Sequence, residues 1–318
     1  MKALIIVNPV AGSVAEQREA LRTAVGYLAE QGWTVTWRET TPTRSATALA
    51  REAVQAGVDV VVVAGGDGTI NEAIQPLVGT EVRFGVLPVG TANLWSMEIG
   101  VATAPVLFHQ NLRRAAEVLV HGETVAVDTG LAGSRYFLLL AGVGFDALVT
   151  RLVDRPTKER LGGFAYVWRA LQELPRYHGS VARLAIDGQV DERRVVLVTI
   201  SNTKLYAGLP LAPEASFVDG KFNITVLEGR GWLSLVLALV PVLLGWRVRP
   251  PTIHRYVGRT VEIFSSRPLP IQVDGEPAGE TPMRFRVVPA SLRAIVPPET
   301  AARLRAQRVT GGKGERAS

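Results

Sequence analysis

Along residues 1–122 the apolar positions follow two alternating rhythms. Short apolar or β-rich runs at 3–7, 34–38, 58–64 and 83–87 read as strands. Between and after them, 15–30, 45–56, 70–77 and 112–120 carry apolar residues three or four apart and read as helices. Strands alternating with helices of this length predict βαβ units and a parallel sheet flanked by helices.

From Thr124 the texture changes. Short β-rich runs occur at 125–131, 136–140, 181–186, 195–200, 222–227, 260–265, 271–273, 285–288 and 292–296. Asp187-Gly188, Asp219-Gly220 and Asp274-Gly275 punctuate them as turn signals. The expected architecture is therefore α/β plus β. An α/β domain with a parallel sheet spans 1–122, and an antiparallel sandwich or barrel spans 123–300, with a helix inserted near 164–174. Pattern alone leaves open whether the last strand returns to the first domain. Residues 301–318, basic and Gly-rich at the end, are expected to form a disordered tail.

Three polar loops stand where predicted strands end. Gly65, Gly66, Asp67, Gly68 and Thr69 follow the third strand and precede a helix. Glycines let the backbone turn sharply and come close to a bulky group, and a helix N-terminus offers unpaired N–H donors to phosphate. Asp67 would repel bare phosphate, so its place there points to an intervening metal ion. Asn8-Pro9-Val10-Ala11-Gly12 follows the first strand, and Pro88-Val89-Gly90-Thr91-Ala92-Asn93 follows the fourth. In a parallel sheet, ligands bind beyond the carboxyl ends of the strands, where such loops can converge. No Gly-x-Gly-x-x-Gly follows the first strand, which speaks against a Rossmann dehydrogenase.

The chain of 318 residues has 35 Lys and Arg against 29 Asp and Glu, and its formal charge of +6 favours an anionic partner. No nucleic-acid-binding signature accompanies that charge, so no nucleic-acid partner is expected. The absence of cysteine excludes disulfides, thiol nucleophiles and thiolate metal sites, and fits a reducing cytosol. Lys2 and a short apolar stretch halted at Asn8-Pro9 suit a first buried strand and not a signal-peptide core. His109, His121, His178 and His254 show no metal-ligand spacing.

The order Asn-Pro-x-x-Gly, Gly-Gly-Asp-Gly-Thr-x-Asn-Glu, Pro-x-Gly-Thr-x-Asn and Val-Asp-Gly-Glu resembles the diacylglycerol kinase catalytic fold of bacterial lipid kinases. The runs 142–147, 201–202 with 206–208, and 212–215 with 219–220 fit the second domain of that family. The resemblance implies an ATP-dependent, Mg²⁺-requiring kinase that phosphorylates a lipid hydroxyl, with ATP held between an α/β and a β-rich domain. Carried over, Asn8, Pro9, Val10, Ala11, Gly12, Thr40, Gly65, Gly66, Asp67, Gly68, Thr69, Asn71, Glu72, Gly90, Thr91 and Asn93 would line the nucleotide. Asp67 would act at the Mg²⁺-phosphate end, and Glu276 matches the general base of the family. Asp219, with backbone oxygens of Ser216 and Lys221, matches a structural Mg²⁺ site. By spacing alone, Glu276 and Asp219 are also simply acids at hairpin turns. Several relatives carry an acid directly after the Pro-x-Gly-Thr-x-Asn loop, where this chain has Leu94. Alternatives are a soluble-substrate kinase of the NAD-kinase type and a nucleotide-binding regulator without catalysis.

Residues 232–246 are apolar and bracketed by Trp232 and Trp246. As a helix the run would be ~22 Å long, short of the ~30 Å hydrocarbon core, with Pro241 inside it. Between Glu228 and Glu262 there is no acid, whereas Arg230, Arg247, Arg249, Arg255 and Arg259 are all present. Such a segment suits either a buried core helix or the interface of an anionic membrane. The expectation is a cytoplasmic enzyme, peripheral at the inner face of the membrane, acting on a lipid there. A homodimer is compatible with the sequence.

Overall fold

The computed structural model describes residues 1–11, 14, 17–89, 93–102, 111–153, 168–170, 172–206, 209–210, 212–231, 233–235 and 251–313. The first unit runs β1 (Lys2–Val7), α1 (Arg18–Glu30), β2 (Thr34–Glu39), α2 (Ala46–Gln55), β3 (Val60–Gly65), α3 (Asp67–Ile74), β4 (Arg83–Pro88), α4 (Leu94–Glu98) and α5 (Leu112–His121). All six residues of β3 are buried, four of them valines. Branched side chains covered on both faces are what a central parallel strand requires. The helices turn apolar stripes inward: Leu21, Ala24, Tyr27 and Leu28 of α1, and Leu49, Ala50 and Ala53 of α2. Ser45 starts α2 by accepting the Ala48 N–H at 3.3 Å.

The second unit contributes β5 (Glu123–Ala132), β6 (Arg135–Phe137), β7 (Leu140–Gly144), α6 (Phe145–Leu152), β8 (Ser180–Ile186), β9 (Gln189–Ser201), β10 (Leu205–Tyr206), β11 (Leu209–Pro210), β12 (Phe222–Glu228), β13 (Ile253–Gly258), β14 (Thr260–Ser265), β15 (Pro270–Val273), β16 (Glu276–Glu280), β17 (Met283–Val296) and α7 (Pro298–Lys313). Its strands pair antiparallel, whereas β1 to β4 pair parallel. The α/β plus β architecture read from the sequence is the one observed. Each unit has its own apolar core, one around β1, β3 and β4 and one around β7, β9, β12 and β15.

The strand β17 joins the two. It pairs antiparallel with β14 and β5, then lies parallel to β4 through Arg293–Arg83 and Ala294–Phe84. The expected strands at 285–288 and 292–296 are thus one strand. An irregularity between Val288 and Leu292, with Ala290 at φ 49°, absorbs Pro289, Ala290 and Ser291. Conversely, the run 136–140 breaks between β6 and β7, because the N–H groups of Leu138 and Leu139 turn to a side chain, Asp274.

The expected disordered tail needs correction. Residues to Lys313 continue as α7, whose Ala301 and Leu304 are buried. Thr300 Oγ1 donates to Ile99 O at 2.9 Å and Arg303 to Glu98 O at 3.2 Å, so tertiary contacts order this Ala- and Arg-rich stretch. Residues 314–318 lie outside the described residues. So do 164–167 and 171 of the helix expected at 164–174, whose residues 168–170 and 172–173 are helical and run into a 3-10 turn at Leu174–Arg176, and nearly all of 232–246. Among the described residues no helix is long and apolar enough to cross a membrane.

Candidate functional site

Register places the strand ends together. Val7 pairs with both Glu39 and Ala64, and Gly65 pairs with Pro88. The residues that follow, Asn8, Thr40, Gly66 and Val89, therefore leave the sheet along one edge. Asn8 N donates to Ala64 O, and Thr40 N to Val7 O. The Asn8 side chain ties two loops: Nδ2 donates to Thr69 Oγ1 at 2.9 Å and Oδ1 accepts the Val10 N–H at 3.2 Å. Pro9 and Ala11 are half-buried and Val10 is exposed; Gly12, Gly90 and Thr91 lie outside the described residues.

Within the Gly-Gly-Asp-Gly turn each residue has a separate task. A Cβ on Gly65 would lie 2.7 Å from that of Thr69, so the strand-to-helix turn excludes a side chain. Gly66 is the extended N-cap of α3 and directs the first N–H groups of that helix at the edge. Asp67 reaches sideways: Oδ2 accepts Leu94 N at 3.0 Å and Oδ1 accepts Trp95 N at 3.2 Å. Its carboxylate thus caps α4 from outside, beside Asn93, which is buried in the left-handed conformation. The donor at Leu94 is its backbone N–H, so the contact does not depend on the side chain there.

Asn71 faces the protein interior, and the half-buried Glu72 turns to the start of α2. Asn71 is fully buried, donates to Tyr136 O and Asp274 Oδ2, and accepts two N–H groups of Arg135. Glu72 Oε2 accepts Ala46 N at 3.0 Å and helps cap α2. Through these bonds both residues brace the start of α3.

The opposite wall comes from the β15–β16 hairpin. Asp274 and Gly275 both have positive φ, 49° and 81°, the geometry of a tight hairpin turn. The Asp274 carboxylate collects Asn71 Nδ2 and the N–H groups of Leu138, Leu139 and Leu140. Desolvation pushes this carboxyl up, and its four donors pull it back. Glu276 opens β16 and lies over the start of α3: its Oε1 would be 3.1 Å from a Cβ on Gly68. The two units thus bring Asp67, Gly68 and Glu276 to one place.

Behind Glu276 runs a buried relay. Gln272, 3 % exposed, donates from Nε2 to Asp146 Oδ2 at 3.0 Å and accepts Gly275 N at Oε1 at 2.8 Å. A Cβ on Gly142 would fall 1.8 Å from Asp146 Oδ2 and 2.7 Å from Gln272 Nε2. That glycine makes room for the relay.

A second acidic pair lies elsewhere. Asp219 Oδ1 accepts Lys221 N at 3.0 Å, and burial together with the nearby charge of Asp128 raises its carboxyl to about 6. Asp128 is buried, which raises its own carboxyl, and it accepts Gly220 N and Ala290 N, each at 2.7 Å. Ser216 Oγ donates to Gln307 Oε1 at 2.8 Å, leaving its carbonyl as the group a cation would use. Among the described residues no cluster of three or more His, Cys, Asp or Glu exists. The Asp219 carboxylate with Asp128 nearby has the chemistry a hard, oxygen-seeking cation takes. Asp128 stands out in the sequence as one acid inside the apolar run of β5, but local pattern gives it no role.

An α/β edge with a glycine-rich turn at a helix N-terminus, faced by a carboxylate from a β-rich unit, has the layout of a phosphotransferase site. Comparison with known proteins places it more closely. The diacylglycerol kinase catalytic domain profile matches residues 2–132, and the YegS C-terminal NAD kinase beta sandwich-like domain profile matches 140–296. The chain belongs to the diacylglycerol kinase family, a family of lipid kinases. It is 30% identical over 313 residues to an uncharacterised Synechocystis protein, covering 93% of this chain and 70% of that one. It is 27% identical to a diacylglycerol kinase of Bacillus subtilis, covering 95% and 99%. A solved structure described as a diacylglycerol kinase candidate from Bacillus anthracis shares the fold, with TM-score 0.77, 24% identity, and coverage of 94% and 96%.

Proposed function

We propose that this protein is an ATP-dependent lipid kinase that transfers the γ-phosphate to a lipid hydroxyl, diacylglycerol being the first acceptor to test. The observation that carries the reading is Glu276 of the second unit lying against Gly68 at the start of α3 in the first. In this reading the loops after β1, β2 and β3 cradle the polyphosphate, with the N–H groups of α3 directed at it. Glu276 accepts the proton of the acceptor hydroxyl as its oxygen bonds to the γ-phosphorus; the bond to the β-bridging oxygen breaks and ADP leaves. Asp67 holds the start of α4 through both carboxylate oxygens and would be the carboxylate that holds Mg²⁺ at the phosphates. Bound there, Mg²⁺ would supply positive charge to offset that of the phosphates. Asp219 with the carbonyls of Ser216 and Lys221 would hold a second, structural Mg²⁺. The acceptor is taken from an anionic membrane face, in keeping with exposed Arg230, Arg255 and Arg259.

The test is incubation with labelled ATP, Mg²⁺ and a total lipid extract, then identification of the labelled product. Glu276→Gln is expected to lower kcat by roughly 10²–10⁴-fold with little change in KM for ATP. Full activity of that variant would refute the base, and labelling of water-soluble products alone would refute the lipid acceptor.

A further inference from the structure

At the far end of the second unit lies a cavity of about 180 Å³ lined by His178, Gly179, Ser180, Val181, Arg194, Ser266 and Arg267. Among the described residues its lining includes two arginines, a histidine and two serines, and no acidic residue. Ser180 is buried; its Oγ lies 3.1 Å from Ser266 Oγ and accepts the Arg267 N–H at 3.2 Å. Arg194 Nη1 donates to Gly179 O at 3.1 Å, which fixes one end of its guanidinium at the cavity. Among the described residues neither Arg194 nor Arg267 forms an ion pair. Guanidinium forks match phosphate oxygens in geometry and charge.

The cavity is separate from the cleft. Arg194 is seven positions along β9 from Ser201, which pairs with Leu140 beside Asp274. That separation is roughly 23 Å at ~3.3 Å per residue. The cavity also stands where the chain enters its Trp-flanked apolar sequence. Gly229 N donates to Arg194 O, and a Cβ on Gly231 would lie 3.2 Å from Tyr177 O and 3.8 Å from His178 Nδ1. Trp232 is the next residue, and Arg247 and Arg249 follow the apolar run. A phosphate-sized basic cavity at the root of a sequence suited to a membrane interface is the arrangement expected where a headgroup is held above acyl chains.

We propose that this cavity receives the phosphate of an anionic phospholipid headgroup and seats the second unit on the bilayer at a point distinct from the cleft. The inference rests on the lipid-kinase reading, and its test separates the two.

The test compares the full chain with an Arg194→Gln/Arg267→Gln variant. Partition onto phosphatidylcholine vesicles with and without phosphatidylglycerol is measured by co-sedimentation. Turnover of detergent-dispersed diacylglycerol is measured alongside, and a melting curve checks the fold. The wild type is expected to bind the anionic vesicles, and the variant to bind them roughly 30-fold more weakly, from about 1 kcal/mol for each arginine removed. Detergent turnover should be unchanged. A second variant, Arg267→Glu, should weaken partition as well without touching Arg194. Equal vesicle binding by wild type and variants overturns the proposal. So does calorimetric binding of inorganic phosphate that the double variant loses while vesicle binding persists, since the site would then serve a free anion. Absence of turnover by the wild type counts against the kinase reading and leaves the partition result to decide the headgroup site.

Discussion

Asn71 in α3 and Asp274 in the β15–β16 turn are 203 residues apart in sequence, yet Asn71 Nδ2 donates to Asp274 Oδ2 at 2.9 Å. One buried amide thereby fixes the glycine-rich turn of the first unit relative to the hairpin that carries Glu276. Gln75 adds a second tie by pairing its amide with both the N–H and the carbonyl of Tyr136.

Asn71→Ala removes a donor from Asp274 and the acceptor of Arg135. The expected cost is roughly 2–3 kcal/mol, because buried polar partners are left unpaired. Asn71→Asp should cost more, since it sets a second carboxylate against Asp274. Chemical denaturation of both variants checks the order; equal stability of Asn71→Asp and wild type would contradict the bridge.

The Asp146–Gln272–Gly275 relay should act through Glu276. Gln272→Met keeps the bulk of the side chain and removes both hydrogen bonds, so kcat should fall about tenfold or more with KM for ATP little changed. In a Glu276→Gln background the same substitution should cost nothing further. Equal losses in both backgrounds would show a merely structural role.

Gly142→Ala drives a methyl group into Asp146 and Gln272. It should destabilise the fold by roughly 1–3 kcal/mol through overpacking, and lower kcat by disturbing the same relay. Unaltered kcat with lowered Tm would separate the glycine from the chemistry.

Asp219 contributes a pH dependence of its own. Its carboxyl keeps its proton to about pH 6 in the native state, above the ordinary carboxylate range of the unfolded chain. Between those values the native state binds more protons, so this group lowers stability as pH rises through the window. A bound Mg²⁺ would offset the charge exposed above it. Mg²⁺ should therefore raise Tm at pH 7.5, and the gain should shrink as pH falls below about 6. Asp219→Asn should melt at or above the Mg²⁺-free wild type and show no Mg²⁺-dependent gain.

The parallel half was legible because buried strands flanked by helices read as apolar runs, β3 above all. The hairpin strand β16, Glu-Pro-Ala-Gly-Glu, was not, since its mostly exposed residues carry no alternation. Turn chemistry at Asp274-Gly275 was visible, but the contact of Glu276 with Gly68 depends on how two units pack, which no local pattern encodes. The same limit explains Asn71 and Glu72. A motif states which residues occur together, and only packing shows that these two bond to Asp274 and to the start of α2. Leu94 looked like a missing acid, and the structure shows its N–H serving the Asp67 carboxylate. In α7, basic composition concealed two buried apolar positions a single helical turn apart, Ala301 and Leu304.

The shared strand β17 constrains how substrates enter. Because its ends are hydrogen-bonded into opposite halves of the molecule, the halves cannot part like the leaves of a book. Any widening of the gap must shear or wring the continuous sheet, so the cheaper adjustment lies in the loops and the β15–β16 hairpin. Catalytic gating would then be local, with the framework holding still.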